Sequence, residues 1–556
     1  MSLPRQLVID RVPADFHPDT HVALGPWCFA GTEDMFPDWD TLSFIDPFEI
    51  AADRWTAAEA CQALANELLD ELWLEMNRKH GTAHDRRYWH AVLMPWILHL
   101  IMFSWRIYAR VTAFVTMAGE ESFRVGLVRL EGRIGFSGTR AFITACCQPC
   151  LFRTWLIGET VRRLAPSHWL LETVGTIAIP PVMADTSPPY TWRPVMNVHS
   201  MGRLEEVLIG LFVNLIPLRS NPPPLSLSPK ISYLKDYFTN LFIDFSRMLM
   251  ELTMPETFRS GFMALDANAG TTKYRYGRLH VTSIDWADDQ NNFMLGHAIE
   301  AGERVVVVQH GGGYGWCNPV PDAAEFYYLH DHFITWGWTK QPSCRGRFRP
   351  LPSIMLSHNR NNHRPSNDEI IFVGTGMMPL QLRIDYSPSM IEYRRWKRRF
   401  MTALSPTVIS KMRYRPYHVD YGIEDATWVR RFFPNIPIVD GVLQPVLFKS
   451  RLVVVDHPIT TMAIALSANI PTIGFWQKDA WPLALEAESF FADLERVGIV
   501  FDNPEAAATK ITEIWPRLES WWQEPERQQV RMAWCRRFAW ADRWWWLRWL
   551  TALAEL

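Results

Sequence analysis

The sequence predicts an α/β fold: two Rossmann-like units facing a shared cleft, with a large helical elaboration in the N-terminal half. Three observations carry this prediction. From about residue 279 to residue 522, short β-branched runs alternate with helical stretches, the pattern of doubly wound parallel sheets. The polar stretch SHNRNNHRPS (357–366), which has no apolar periodicity, divides that alternation in two. Upstream, long segments repeat apolar residues at helical spacing. With 48% hydrophobic residues over 556 positions, the chain can bury sizeable cores and is not a disordered one.

Taken in order, the first expected strand is HVAL (21–24), ending in the turn Gly25-Pro26-Trp27-Cys28. Glu33 and Asp34 lie in the loop after it and are candidate proton acceptors. A helix is expected over 57–80, with Ala60, Leu64, Leu68, Leu72 and Met76 on one face. A second spans 88–116, broken near Pro95. Its apolar run, 91–105, is closed by Arg106 and Arg110; it falls short of the roughly 20 residues of a membrane span and reads as a buried helix. The segment SNPPPLSLSP (220–229) reads as an irregular connector.

Strands follow at 280–285, 304–309 (RVVVVQ) and 333–336, with a helix over 288–301 closed by Gly302. The RVVVVQ run has the composition of a strand buried on both faces. Beyond the linker, strands are expected at 369–373, 407–413, 436–439, 451–455, 471–475 and 498–501. Helices are expected over 388–404, 460–468, 480–495, 504–522 and 526–553, the last carrying WADRWWWLRW. The domains so drawn are 1–356, with a helical insertion at about 50–260; 367–525; and a C-terminal helix, 526–556, packing back on the body.

Lys and Arg number 56 against 59 Asp and Glu, a net charge of -3, which excludes a strongly basic nucleic-acid binder. The N-terminus shows no secretory pattern and eight cysteines make no disulfide framework, so a cytoplasmic location is expected. The cluster CCQPC (146–150) has no second Cys/His pair at zinc spacing, so no metal is expected there. The Trp/Arg-rich C-terminal helix leaves open a peripheral contact with the inner face of a membrane.

Ligands of open parallel sheets bind beyond the carboxyl ends of the strands, so the loops after the expected strands are the candidate sites. The foremost is Gln309-His310-Gly311-Gly312-Gly313-Tyr314-Gly315. Its four glycines allow close backbone approach to a ligand, and His310 can exchange a proton near neutral pH. The spacing fits neither the Walker loop nor the dinucleotide fingerprint. Asp456-His457-Pro458-Ile459-Thr460-Thr461 opens a helix, where Thr460 or Thr461 can cap and the N-terminus can take an anion. Arg413 and Arg415 point the same way along an extended chain and can both reach a phosphate. Gly374-Thr375-Gly376 is a further strand-end glycine turn.

The chain resembles a bacterial transferase family of surface-polysaccharide gene clusters, of the leptospiral type. The resemblance rests on LGPWC (24–28), YWHAVLMPWIL (88–98), QHGGGYG (309–315), DHFITWGW (331–338), RYRPYHVDYG (413–422), SRLVVVDHPITTMAIALSANIPTIGFW (450–476) and VGIVFDNPEAAA (497–508). It implies a glycosyltransferase of the two-domain GT-B type, with the acceptor on the N-terminal half and a nucleotide-sugar donor on the C-terminal half. His310 and its glycines would then face the cleft, and Arg413, Arg415, Thr460 and Thr461 would hold the donor phosphates. His457-Pro458 is similar to the His-Pro element of transferases that use cytidine-monophosphate sugars, while Ile464 stands where relatives carry Glu. The donor is left open among CMP-, UDP-, GDP- and dTDP-linked sugars. The acceptor expected is a surface glycan or lipid-linked species, with no cofactor and, lacking a DxD motif at a strand end, no metal. Transfer of a phospho-alditol or other non-sugar group, and non-catalytic glycan or nucleotide binding, are the alternatives.

Overall fold

The computed structural model describes residues 4–33, 35–178, 196–198, 200–215, 237–271, 279–283, 285–342 and 344–556. The connector expected at 220–229 and the candidate Asp34 lie outside these residues. The α/β class is the one observed, but with three parallel sheets where two were expected.

Of the first sheet, only the strand at 21–24 was expected from the sequence. The sheet comprises β1 (Arg5–Val8), β2 (His21–Ala23), β3 (Phe123–Glu131) and β4 (Leu170–Ala178), in the order β2-β1-β3-β4. β3 buries Phe123, Val125 and Leu127 while the residues between them are only partly covered. That alternation differs from the continuous apolar run by which the other strands were found. Between β2 and β3 run two long helices, α1 (Ala51–His80) and α2 (Arg86–Ala118).

Nearly every side chain of α2 from Tyr88 to Ser104 is buried, including those on what would be a solvent face. A helix that is apolar all round belongs in a core. α2 is long and apolar enough to cross a membrane, and 94% of its most apolar window is buried inside the protein. The break expected at Pro95 is absent, and the helix runs through it. Burial on all sides outweighs the roughly 3 kcal/mol local cost of an interior proline.

The middle sheet holds β5 (Met196–Asn197), β6 (Leu279–Thr282), β7 (Arg304–Val308), β8 (His332–Thr335) and β9 (Phe348–Pro350), in sequential order. The third holds β10 (Ile370–Val373), β11 (Met412–Arg415), β12 (Leu452–Val455), β13 (Thr472–Phe475) and β14 (Val500–Phe501), in the order β11-β10-β12-β13-β14. β7, β10, β12 and β13 are buried along their whole length. After β10 the chain goes to β11 on one side and returns to β12 on the other. This reversal is the topological switch point at which such sheets bind ligands.

Two expectations in this half are corrected. Residues 407–413 are not one strand: Pro406–Ile409 is a helical turn and β11 begins at Met412. Ser405 caps that turn, accepting from the Val408 N–H, and Pro406 takes the first helical position, so Ser-Pro starts a helix here. Residues 436–439 contribute a single bridge, Ile438 to Tyr414, at the sheet edge.

The last expected helix is two helices, Pro525–Phe538 and Trp545–Glu555. The first packs on the helices Thr460–Ser467 and Leu485–Arg496 of the third sheet. The second returns to the middle sheet, where Trp545, Trp549 and Leu553 cluster with Val281, Val306, Val308 and Ile334.

Candidate functional site

The loop that leaves β7 is built for close contact. Gln309 is buried and fully engaged: its Nε2 donates to the Gly311 carbonyl at 2.8 Å, and its Oε1 accepts from the Trp336 N–H at 2.9 Å and the Trp338 indole at 2.8 Å. The Gly312 N–H donates to Thr460 Oγ1 at 2.7 Å, across the two five-stranded units. A Cβ on Gly312 would stand 2.4 Å from the Thr460 nitrogen, and one on Gly313, where φ is +99°, would stand 2.5 Å from the Tyr386 hydroxyl. Glycine is therefore required at both positions. The glycine run and the Thr460 helix start meet as expected, with the carboxyl ends of β7 and β12 facing each other. The contact is so close that the Gly312 N–H serves the interface between the units.

His310 is half-buried, edge-on to Tyr314 at 5.7 Å and Tyr327 at 5.5 Å. Gly315 closes the loop against Gln341, whose Oε1 accepts from its N–H at 2.7 Å. Thr461 is buried in the first turn of the Thr460–Ser467 helix.

Below the switch point lies a buried ionic network that the sequence did not reveal. Lys397 and Arg394 stand three apart on the helix Met390–Ala403 and so share a face. Lys397 Nζ donates to both Asp425 oxygens at 2.9 and 2.8 Å, to the Tyr393 hydroxyl at 2.8 Å and to the Tyr414 hydroxyl. Arg394 pairs with Asp425, and its Nε reaches Glu33 Oε1 at 3.3 Å. Burial tends to raise the Asp425 carboxyl, but Lys397 and Arg394 outweigh it and hold the group below its usual range. Asp456 bonds His457 Nδ1 at 2.8 Å and lies 3.9 Å from Lys397 Nζ. Gly374 and Thr375 cover this network; the Thr375 N–H donates to the Tyr393 hydroxyl at 3.2 Å, and a Cβ on Gly374 would meet the Tyr414 hydroxyl. Gly376 lies beside Tyr417.

Glu33 is thus buried in an ion pair, with burial raising its carboxyl against the pull of Arg394. It ties the N-terminal segment to the C-terminal unit. Arg413 and Arg415 do not converge. Arg413 is half-exposed and pairs with Glu369, its Nε donating at 2.6 Å. Arg415 donates to the carbonyls of Pro416 at 2.8 Å and Gly441 at 2.6 Å, fastening the loop beyond β11.

A cavity of about 240 Å³ opens where the N-terminal segment and α2 meet the carboxyl side of the third sheet. Trp27 and Asp46 line it from the N-terminal segment, Arg54 from α1, Arg106 and Arg110 from α2, and Ser389, Glu392 and Arg395 from the start of the Met390–Ala403 helix. Arg106 and Arg110 are four apart and lie on one face of α2. Arg54, Arg106 and Arg110 are 5%, 5% and 3% exposed. Arg110 pairs with Asp46 at 2.8 Å and lies over the Trp27 ring at 5.1 Å. Arg54 donates to the Phe48 carbonyl at 2.8 Å, and Arg106 to the Arg383 carbonyl at 2.6 Å.

Each of these three arginines keeps a buried Nε with no hydrogen-bond partner among the described residues. Burial lowers the Arg106 guanidinium to about 10, which still leaves it charged near neutral pH. Asp46 is pushed up by burial, but Arg110 and Arg106 hold it below its usual range. Asp46 is the carboxylate that lines the cavity beside these guanidiniums, and Asp385 adds its charge near Arg54 and Arg106, while Glu49 is exposed and Glu392 pairs with Arg395 at 2.7 Å. The N-terminus of the Met390–Ala403 helix adds its own positive end. Incompletely bonded buried cations beside a helix N-terminus suit a phosphate group, which Arg binds through two parallel hydrogen bonds.

The sequence signal for this cavity was Arg106 and Arg110 at the end of an otherwise apolar run. A charge buried in such a helix needs a counter-group or a ligand.

The model of the LIC12162 family transferases matches residues 5–175 and 228–553. No curated protein matches the sequence. Among solved structures, a Thermobaculum terrenum O-GlcNAc transferase mutant is similar at 11% identity and a TM-score of 0.29, over 82% of this chain and 84% of that one. WaaG, a glycosyltransferase involved in lipopolysaccharide biosynthesis, is similar at 10% identity and a TM-score of 0.27, over 53% of this chain and 95% of that one. Both likenesses are too distant to carry an argument about chemistry.

Proposed function

The chain belongs to the LIC12162 family of transferases, and from that premise we propose that it moves a sugar from a nucleotide-sugar donor to a surface glycan or lipid-linked acceptor. The observation that carries this reading is the arginine-lined cavity beside the switch point of the third sheet. In this reading the donor phosphates lie between Arg54, Arg106 and Arg110 and the N-terminus of the Met390–Ala403 helix. Negative charge grows on the leaving phosphate as the sugar departs, and fixed cations in a dry site stabilise that charge with no reorganisation. The guanidiniums supply the charge that a metal ion supplies in other transferases. His310 does not line the cavity; it sits on the loop that meets the third sheet at the Gly312–Thr460 contact, and in this reading it takes the proton of the attacking hydroxyl from that side. Arg413 is left to its surface pair with Glu369, and Thr460 to the contact between units.

Calorimetric titration of UDP, GDP, dTDP and CMP into the wild-type chain and into Arg106→Gln and Arg110→Gln tests the reading. At least one nucleotide is expected to bind the wild type and to bind each variant at least about tenfold more weakly, a loss of about 1.4 kcal/mol. Equal affinity in variants that keep the native circular dichroism contradicts it. In the same preparation His310→Ala is expected to lower turnover about 10²-fold with donor affinity unchanged.

A further inference from the structure

A second cluster of polar side chains stands apart from the cavity, where three helical segments converge. His84 precedes α2, Asp266 lies on the helix Phe262–Thr271, and His297 on the helix Asp289–Glu300. One ring nitrogen from each histidine and one carboxylate oxygen of Asp266 lie within 4.8 Å of one another. His297 Nε2 is 2.7 Å and His84 Nε2 3.3 Å from the same oxygen, Asp266 Oδ1. A four-coordinate ion with bonds of about 2.0–2.1 Å holds its ligand atoms about 3.3 Å apart, so the cluster needs little movement to enclose one.

Two observations point to a ligand rather than to a closed polar network. His84 Nε2 is buried and, although 3.3 Å from Asp266 Oδ1, makes no well-directed hydrogen bond among the described residues. Its other ring nitrogen, Nδ1, is bonded to Glu300 Oε2 at 2.7 Å, and the ring stacks on Tyr88 at 3.7 Å. A carboxylate on the far nitrogen fixes the ring and raises its basicity, the outer support that metal-binding histidines have.

We propose that His84, Asp266 and His297 form a binding site for a zinc-type divalent ion. Two imidazole nitrogens and one carboxylate oxygen are the donor set that zinc takes with three protein ligands, the fourth position going to water. None of the three residues lines the arginine cavity. The ion would brace the α1–α2 corner against the two helices and would take no part in group transfer, so the proposal stands or falls independently of the proposed function.

The test uses the full chain stripped of metal by a chelator and titrated with Zn²⁺ by calorimetry, and with Co²⁺ as a visible-absorbing substitute. One ion per chain is expected, with a rise in Tm on Zn²⁺ addition and the strong visible bands of a low-coordinate Co²⁺ site. Both should be lost, with affinity at least tenfold weaker, in His297→Ala and in Asp266→Asn. Absence of Zn²⁺ binding and of those bands in the wild type overturns the proposal, whether or not the variants fold. Unchanged affinity and stoichiometry in a folded variant overturns it too, because the ion then sits on other residues.

Discussion

Gly312 shows how much a single residue decides here. Its backbone lies so near the start of the Thr460–Ser467 helix that a methyl group would stand 2.4 Å from a backbone nitrogen. Gly311, one position earlier, would meet only the Thr460 hydroxyl, at 3.3 Å. Gly312→Ala is therefore expected to cost about 1–3 kcal/mol, the range for overpacking, and Gly311→Ala distinctly less. Denaturant unfolding of the two variants checks the ordering, and equal stability would show that the units do not touch at this loop. The sequence identified these glycines as a place of close approach but assigned the approach to a ligand. Composition alone cannot separate the two, since a phosphate and a helix start both demand a missing Cβ. Glu33 was misjudged in a similar way. From the sequence it is a candidate proton acceptor in a loop, and only the buried Arg394, 361 positions further along, makes it an ion pair.

At the scale of elements, legibility followed burial. β7, β10 and β12 were evident because strands covered on both faces carry unbroken apolar runs. β3 was missed because it alternates, and β11 was misplaced because Ser405-Pro406 was not read as a helix start. The C-terminal helix was expected to pack back on the body, and its second half does so in a specific place. Trp549 is 1% exposed against the middle sheet, and its indole donates to the Pro352 carbonyl at 2.9 Å. Trp549→Ala is expected to destabilise the chain by about 3–5 kcal/mol, through lost burial, a cavity and an orphaned carbonyl. Denaturant unfolding followed by circular dichroism measures this. A loss under about 1 kcal/mol would mean that the helix rests on the sheet without supporting it.

For the whole molecule, the loop residues singled out in the sequence, from His310 to Gly374-Thr375-Gly376 and Asp456-His457, are not among those that line the arginine cavity. Gly374-Thr375-Gly376 and Asp456-His457 stand at the switch point because they follow strands, a relation written in local sequence. Arg54, Arg106 and Arg110 come from helices of the N-terminal part and meet the Met390–Ala403 helix only in the folded chain. Such long-range assembly leaves no periodic trace. Lys397 is hidden likewise, as one cation in the run YRRWKRR (393–399) until Asp425 and two tyrosines surround it. Removing one member of a buried pair of this kind typically costs about 3–5 kcal/mol.

The central claim is that this cavity receives the phosphates of an activated donor. A crystal structure with a bound nucleoside diphosphate tests it most directly. Phosphate oxygens are expected within hydrogen-bond distance of Arg106 and Arg110 and at the first turn of the Met390–Ala403 helix. A nucleotide seated elsewhere, with the three arginines still unbonded to it, would contradict the account.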